Sequence, residues 1–339
     1  MTTLQAPRHE YRDLAELLDD YEQRGWTDGL PIVPPTPESV AEFLAAAELE
    51  PAVVVGTVPT RDVTVTAEHV AINAVMAGCR PEYMPVVVAA VRAHLHEKGN
   101  CHSTTGTLSG AAQAVIVNGP ARTRLDINCT AGCFGPGWRA NATIGRALRL
   151  VIRNVCRSIP NFLDRATFST PARYSFCFGE DEEGSPWVPL SVERGIPEGA
   201  SAITIASVMT MTSAFDLTSR TPEGILDSIV RTIRQRGTAT DVWLGDDTNV
   251  VLVMGPEHRR FLVEAGWSKA DAREYVFPRI KAQQGPGEGR VGLAKPEGLL
   301  FVAAGGPGMS ETWILFPHLA WAITEQVVPE VTAPQGADR

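Results

Sequence analysis

The chain has 339 residues, is 44% hydrophobic and 20% charged, and carries a formal net charge of -9. That acidic balance opposes binding to a phosphate backbone, and no apolar run approaches the roughly 20 residues that span a bilayer. Nucleic-acid and membrane roles are set aside, and the length suits one large unit with two related halves.

The first ten residues show no basic segment followed by an apolar one, so no secretory signal is read and a cytoplasmic protein is expected. Six cysteines, Cys79, Cys101, Cys129, Cys133, Cys156 and Cys177, are too few for a disulfide framework and are expected as thiols.

Residues 11–24 alternate apolar and charged positions at helical spacing, with Gly25 as the stop. The proline-rich segment Asp28–Thr36 reads as an extended loop packed on the body. Thr36-Pro37-Glu38 then supplies a cap, a proline and an acid for a helix to about Ala47. Together 1–50 form the N-terminal helices and packing loop.

The first α/β half, 51–178, opens with strands at Val53–Gly56 and Val63–Val65. Thr66 caps a helix that stops at Gly78, and Arg80-Pro81-Glu82 starts another whose residues 86–91 are apolar nearly all round. Ala114–Val117 is a strand leaving through Asn118-Gly119-Pro120, and 138–153 is strongly helical. Residues 179–200 connect the halves. Their acidic stretch Gly179–Pro186 reads as a solvated turn-rich link, with a metal role for its carboxylates as the alternative.

The second half, 201–331, repeats the plan with a strand at Ala202–Ile205, a helix from Thr221 to about Gln235, and a strand at Val250–Val253 leaving through Met254-Gly255-Pro256. The paired Gly-Pro exits suggest a diverged β-α-β duplication, two similar units by chance being the alternative. Ser268–Asp271 is a capping box with aspartate at its third helical position. Leu299–Ala304 is a buried strand, Gly305–Gly308 its exit loop, and 332–339 a disordered tail. The fold class is α/β, with mixed sheets flanked by helices.

The sharpest chemical signal is Asn128–Asn141, where Cys129 and Cys133 lie in a glycine-rich turn that opens the helix at 138. Free N–H groups at such a turn favour an anion or a thiolate, whereas the bland alternative is a tight helix start with Cys133 as a small hydrophobe. Gly135, Gly137, Arg139, Asn141 and Arg80 are the anion-binding candidates. Cys79, between glycine and arginine at a helix junction, is a second thiol candidate; a C-cap followed by a Pro-started helix explains the same residues. His102, in the polar loop Cys101–Gly106, is the base candidate. His69 and His318 read as capping or packing residues, and His94 and His96 as the charged end of a helix.

The spacing of Cys129 and Cys133 lacks the second pair of a structural zinc site, which leaves Cys129 a bystander. A catalytic metal built from Cys79, Cys101, His102 and Cys133 stays open, since such ligands meet only in the fold. No nucleotide motif is present: Gly305–Gly308 lacks the lysine of a P-loop, and Gly106–Gly110 has its serine one place late for a nucleophile elbow.

Taken together, Asp28–Thr36, Ala71–Tyr83 and Ala131–Arg146 resemble a largely uncharacterised bacterial family associated with UGSC (seleno)proteins, in which selenocysteine or cysteine precedes Gly-Ser-Cys. No Cys-Gly-Ser-Cys occurs in this chain, so the redox motif is not carried over. The resemblance implies an association with thiol or selenol chemistry and gives no substrate.

The expectation is therefore an intracellular, homo-oligomeric enzyme acting on a small anionic, carboxylate-type substrate. Cys133 is nucleophile or metal ligand, Cys79 the second thiol and His102 the base, and the chemistry is lyase, hydrolase or thiol oxidoreductase. The alternative is a non-catalytic subunit scaffolding a redox partner, motivated by the smooth apolar helices at 86–91 and 147–152.

Overall fold

A computed structural model describes residues 4–236, 248–281, 293 and 295–331; the expected tail at 332–339 lies outside them. Helices α1 (Leu14–Gln23) and α2 (Pro37–Ala46) are capped by Asp13 and Thr36, whose side chains accept the Glu16 and Ser39 N–H groups. A hairpin of β1 (Val54–Val58) and β2 (Val63–Thr66) leads into α3 (Ala67–Ala77), where Thr66 and His69 form a reciprocal capping box. Next come α4 (Met84–Leu95), α5 (Cys101–Thr105), β3 (Ala112–Asn118), α6 (Pro120–Arg124), α7 (Arg139–Asn154) and β4 (Cys177–Gly179). The chain continues through α8 (Leu190–Glu193), β5 (Ala202–Phe215), α9 (Pro222–Arg236), β6 (Val250–Met254) and α10 (Pro256–Glu264). It closes with α11 (Lys269–Lys281), β7 (Leu299–Ala303), β8 (Glu311–Pro317) and β9 (Ile323–Gln326).

Seven strands form one mixed sheet in the order β4-β3-β5-β8-β6-β7, with β9 also paired to β5. Pairs β3/β4 and β6/β7 are parallel, each joined across helices, and the remaining pairs are antiparallel. The 14-residue β5 is the spine. Its first residues, Ala202–Ile205, face β9, and Val208–Phe215 face β8, so the chain between β8 and β9 crosses at the Ser207 level.

Side-chain alternation along the strands divides the core. Val115 and Val117 of β3, with Ile203 and Ile205 of β5, pack outward under α3, α4 and α7. Val250, Leu252 and Met254 of β6 pack under α9 and α11. The opposite faces, including Ala114, Ile116, Phe178, Val251, Val253 and Val302, meet each other in a central layer within the curled sheet.

Three expectations are corrected. Cys101–Thr105 is a short helix rather than a loop, because Asn100 adopts a left-handed turn and its side chain accepts the Ser103 N–H. The acidic stretch after β4 is clamped rather than solvated. Glu180, 2% exposed, pairs with Lys269 at 3.0 Å, Asp181 with Arg259 at 2.9 Å, and Glu183 with Arg122 at 2.6 Å. These pairs tie down the exits of β3, β4 and β7, since Asp181 N–H also donates to Ala303 O. Finally, the apolar stretches at 86–91 and 147–152 are covered by this chain's own sheet and helices, which removes the motive for a covering partner. No helix among the described residues is long and apolar enough to cross a membrane.

Candidate functional site

The glycine-rich turn lies where the parallel strands end. Gly305 N–H, just past β7, donates to Cys129 O at 2.9 Å, and Gly179 N–H, at the end of β4, donates to Asn128 O at 3.1 Å. The fit is close: a Cβ on Gly306 would sit 2.5 Å from that of Ala131, so only glycine lets this loop close over the turn.

Cys133 points into the central apolar layer, in the same cluster as Phe176 and Phe178, and burial pushes its thiol up to about 11. N–H groups of Gly305, Cys133 and Phe134 near the sulfur pull the other way without overcoming that desolvation. The thiol precedes the first residue of α7 by six positions, too far to feel the field of the helix end.

The anion candidates around it are committed to the backbone. Arg139 donates to the carbonyls of Gly78 and Cys79, capping α3. Asn141 holds Asn128, Cys133 and Cys177 carbonyls and accepts the Asn128 N–H. Gly135 N–H closes a turn on Gly132 O, whereas Gly137 is exposed and Arg80 is exposed beside Tyr83. Cys79 is buried against Thr143 and pushed up to about 12 by desolvation. Cys129, taken for a bystander, accepts a hydrogen bond from Arg122 at 3.5 Å, though burial still raises its pKa.

His102 lies at the other end of β3. Seven strand residues, roughly 20 Å, separate the loop before Ala112 from the turn after Asn118, so His102 is no base for Cys133. Among the described residues no three of His, Cys, Asp and Glu gather in a metal-holding group, and Cys79, Cys101, His102 and Cys133 do not converge.

A second set of perturbed groups lies around that far end. A surface cavity of about 340 Å³ is lined by His102, Gly106, Thr107, Leu163, Arg165 and Leu319, among others. Behind its Thr107 wall, Ser109 Oγ lies 2.9 Å from Thr107 Oγ1 and 2.5 Å from His318 Nε2. Two local features place this pair. Gly110 at φ 68° turns the chain into β3 against Ala166 and Ser169, where a Cβ would meet that of Ala166 at 2.7 Å. His318 sits on the crossing from β8 to β9, its N–H held by Ser207 O at 3.1 Å. Burial lowers the His318 pKa to about 4, so the imidazole is neutral near pH 7. Its Nδ1 is buried without a partner among the described residues. With Ser109 donating to Nε2, Nδ1 carries the ring proton.

On the same side, Cys101 is the one thiol whose pKa is drawn well down, by a hydrogen bond from the Cys156 thiol against burial, helped by His94 and Arg61. Cys156 is correspondingly raised, by its bond to Cys101 and by burial. Arg61 reaches across to Cys156 O, His102 O and Thr105 Oγ1, fixing α5 on the body. His94, expected on a charged helix end, is 1% exposed beside Cys101.

Perturbed titratable groups beside a cavity mark a site more reliably than a motif does. Sequence reasoning missed the Ser109–His318 pair because its members are 209 positions apart and neither sits in a recognisable motif. Compared with known protein families, with curated proteins and with solved structures, the chain matches none.

Proposed function

We propose that this chain is a hydrolase of small carboxylate-bearing esters or thioesters, with Ser109 as nucleophile and His318 as base. The observation that carries the reading is the 2.5 Å contact between Ser109 Oγ and the neutral His318 Nε2 behind a small cavity. The Ser109 N–H donates to Thr107 Oγ1 at 3.3 Å, and the Thr107 hydroxyl in turn supports Ser109 Oγ. Arg165, exposed at the cavity and without an ion-pair partner among the described residues, is the group to engage the substrate carboxylate.

In the first step His318 Nε2 takes the Ser109 proton as Oγ attacks the carbonyl carbon. The leaving alcohol or thiol departs with that proton, and an acyl-serine remains. Water then adds, giving a proton to Nε2, and expulsion of Oγ, which recovers that proton, restores the free hydroxyl and releases the acid. The small anionic substrate expected from the sequence is kept, and the nucleophile moves from Cys133 to Ser109. An intracellular setting suits the six free thiols.

Labelling with a small fluorophosphonate, followed by peptide mapping, tests the assignment. Ser109 is expected to be modified in the wild type and in Cys133→Ser, and not in His318→Asn. Ester hydrolysis is expected to fall about 10³-fold or more in Ser109→Ala. An unmodified Ser109, or equal hydrolysis by the alanine variant, would overturn the reading.

A further inference from the structure

Beside the Ser109 loop lies a group of buried donors that lacks an acceptor. The Pro171–Arg173 turn and α7 both pack on β3, whose second residue, Gln113, is 2% exposed. Arg149 Nη1 donates to Gln113 Oε1 at 3.0 Å, and Nε2 of that amide is buried without a partner among the described residues. Arg173, with its side chain 10% exposed, pairs with Asp164 through Nη2 and donates to Ser169 Oγ at 3.2 Å through Nη1. Its Nε is buried and unpartnered.

The charged and titratable groups near Arg149 are Arg173, Asp164, Arg153 and Cys101, and burial with the Arg173 charge lowers the Arg149 pKa to about 9. Arg153 is turned to the Gly25 carbonyl, so Arg149 and Arg173 face the Asp164 carboxylate, with the Cys101 thiol acting on Arg149 as well. Desolvated guanidiniums edged by unpaired N–H groups are costly to a fold and are complementary to an anion. Both arginines keep partial exposure, which leaves a route from solvent.

We propose that Gln113, Arg149 and Arg173 form a binding site for a compact oxyanion, a carboxylate or a phosphate. The three side chains come from a strand, a helix and a turn, so the site is set by the fold rather than by a loop that must close. Forked guanidiniums suit the paired oxygens of either ligand, and the Gln113 amide adds a neutral donor beside Arg149. This inference does not depend on Ser109 acting as a nucleophile.

The test is thermal unfolding and calorimetric titration with inorganic phosphate and with malonate, against chloride at matched ionic strength. At least one of the two is expected to raise the Tm of the wild type and of Ser109→Ala alike. A response confined to malonate assigns a carboxylate ligand, and one confined to phosphate assigns a phosphate. Arg149→Met is expected to weaken binding about 100-fold or more. Gln113→Glu supplies the missing charge internally, so its Tm without anion is expected to exceed the wild type's and its anion response to vanish. No response of the wild type to either anion, or an undiminished response in Gln113→Glu, would refute the site.

Discussion

At the scale of single residues, environment outweighs motif. Cys133 has glycines, a helix ahead and nearby N–H donors, yet its sulfur faces Phe176 and Phe178, and desolvation wins. At pH 7 the thiolate fraction of a group near 11 is about 10⁻⁴, so alkylation of Cys133 is expected to be slow and to rise about tenfold per pH unit between 8 and 10. Fast, pH-independent labelling of Cys133 at neutral pH would contradict this. His318 gives the second residue-scale expectation. It stays neutral in the fold down to about pH 4, whereas an unfolded histidine takes its proton near 6.5. The unfolded chain thus binds more protons across that window, and stability falls as pH drops through it, by up to about 3 kcal/mol. Denaturation midpoints of His318→Asn should be flatter than the wild type's between pH 6.5 and 4; parallel curves would show that His318 is not the group responsible.

At the scale of elements, capping signals were legible and burial was not. Thr36, Thr66 and the Ser268–Asp271 box all act where their spacing says they should, because an N-cap is a local bond needing only the next few residues, whereas Asp13, read as part of the first helix, is the cap that starts it. The strands β4, β8 and β9 escaped notice: β4 is three residues long, and Glu311–Pro317 and Ile323–Gln326 lack a sustained β-branched run. The acidic stretch misled for a different reason. Four consecutive acids look solvated, and nothing local announces that Arg122, Arg259 and Lys269 arrive from distant elements to meet them. Glu180 also accepts from Asn118 Nδ2 and Leu190 N–H, both at 2.7 Å, so its carboxylate is held in place from three sides. Lys269→Met is expected to cost about 3–5 kcal/mol in chemical denaturation, because it strands a buried carboxylate. A loss within the ordinary surface range of about 0.5 kcal/mol would show that the pair is not as closed to water as its geometry says.

At the scale of the whole molecule, the α/β class followed from strand and helix periodicities, while the placement of the site did not. The glycine turn and His102 are near neighbours in sequence and lie at opposite ends of β3, a separation set only when Ala112–Asn118 runs straight between them. Ser109 and His318 meet because β5 trades one neighbour, β9, for another, β8, and the crossing chain passes the start of β3. Such a junction depends on pairing between distant segments, which periodicity within a window does not encode.

The central layer has a consequence for cooperativity. Ala114 and Ile116 from before the acidic stretch share a cluster with Val251, Val253 and Leu315 from after it, so the two segments are joined through a common layer even though the layer under α9 and α11 comes from the later segment alone. Heating should therefore give one calorimetric transition, with tryptophan fluorescence and far-ultraviolet dichroism melting together; two resolved peaks would refute it. By the same logic, a chain cut between 193 and 201 yields pieces that each bare one side of that shared layer and are competent to rejoin across it.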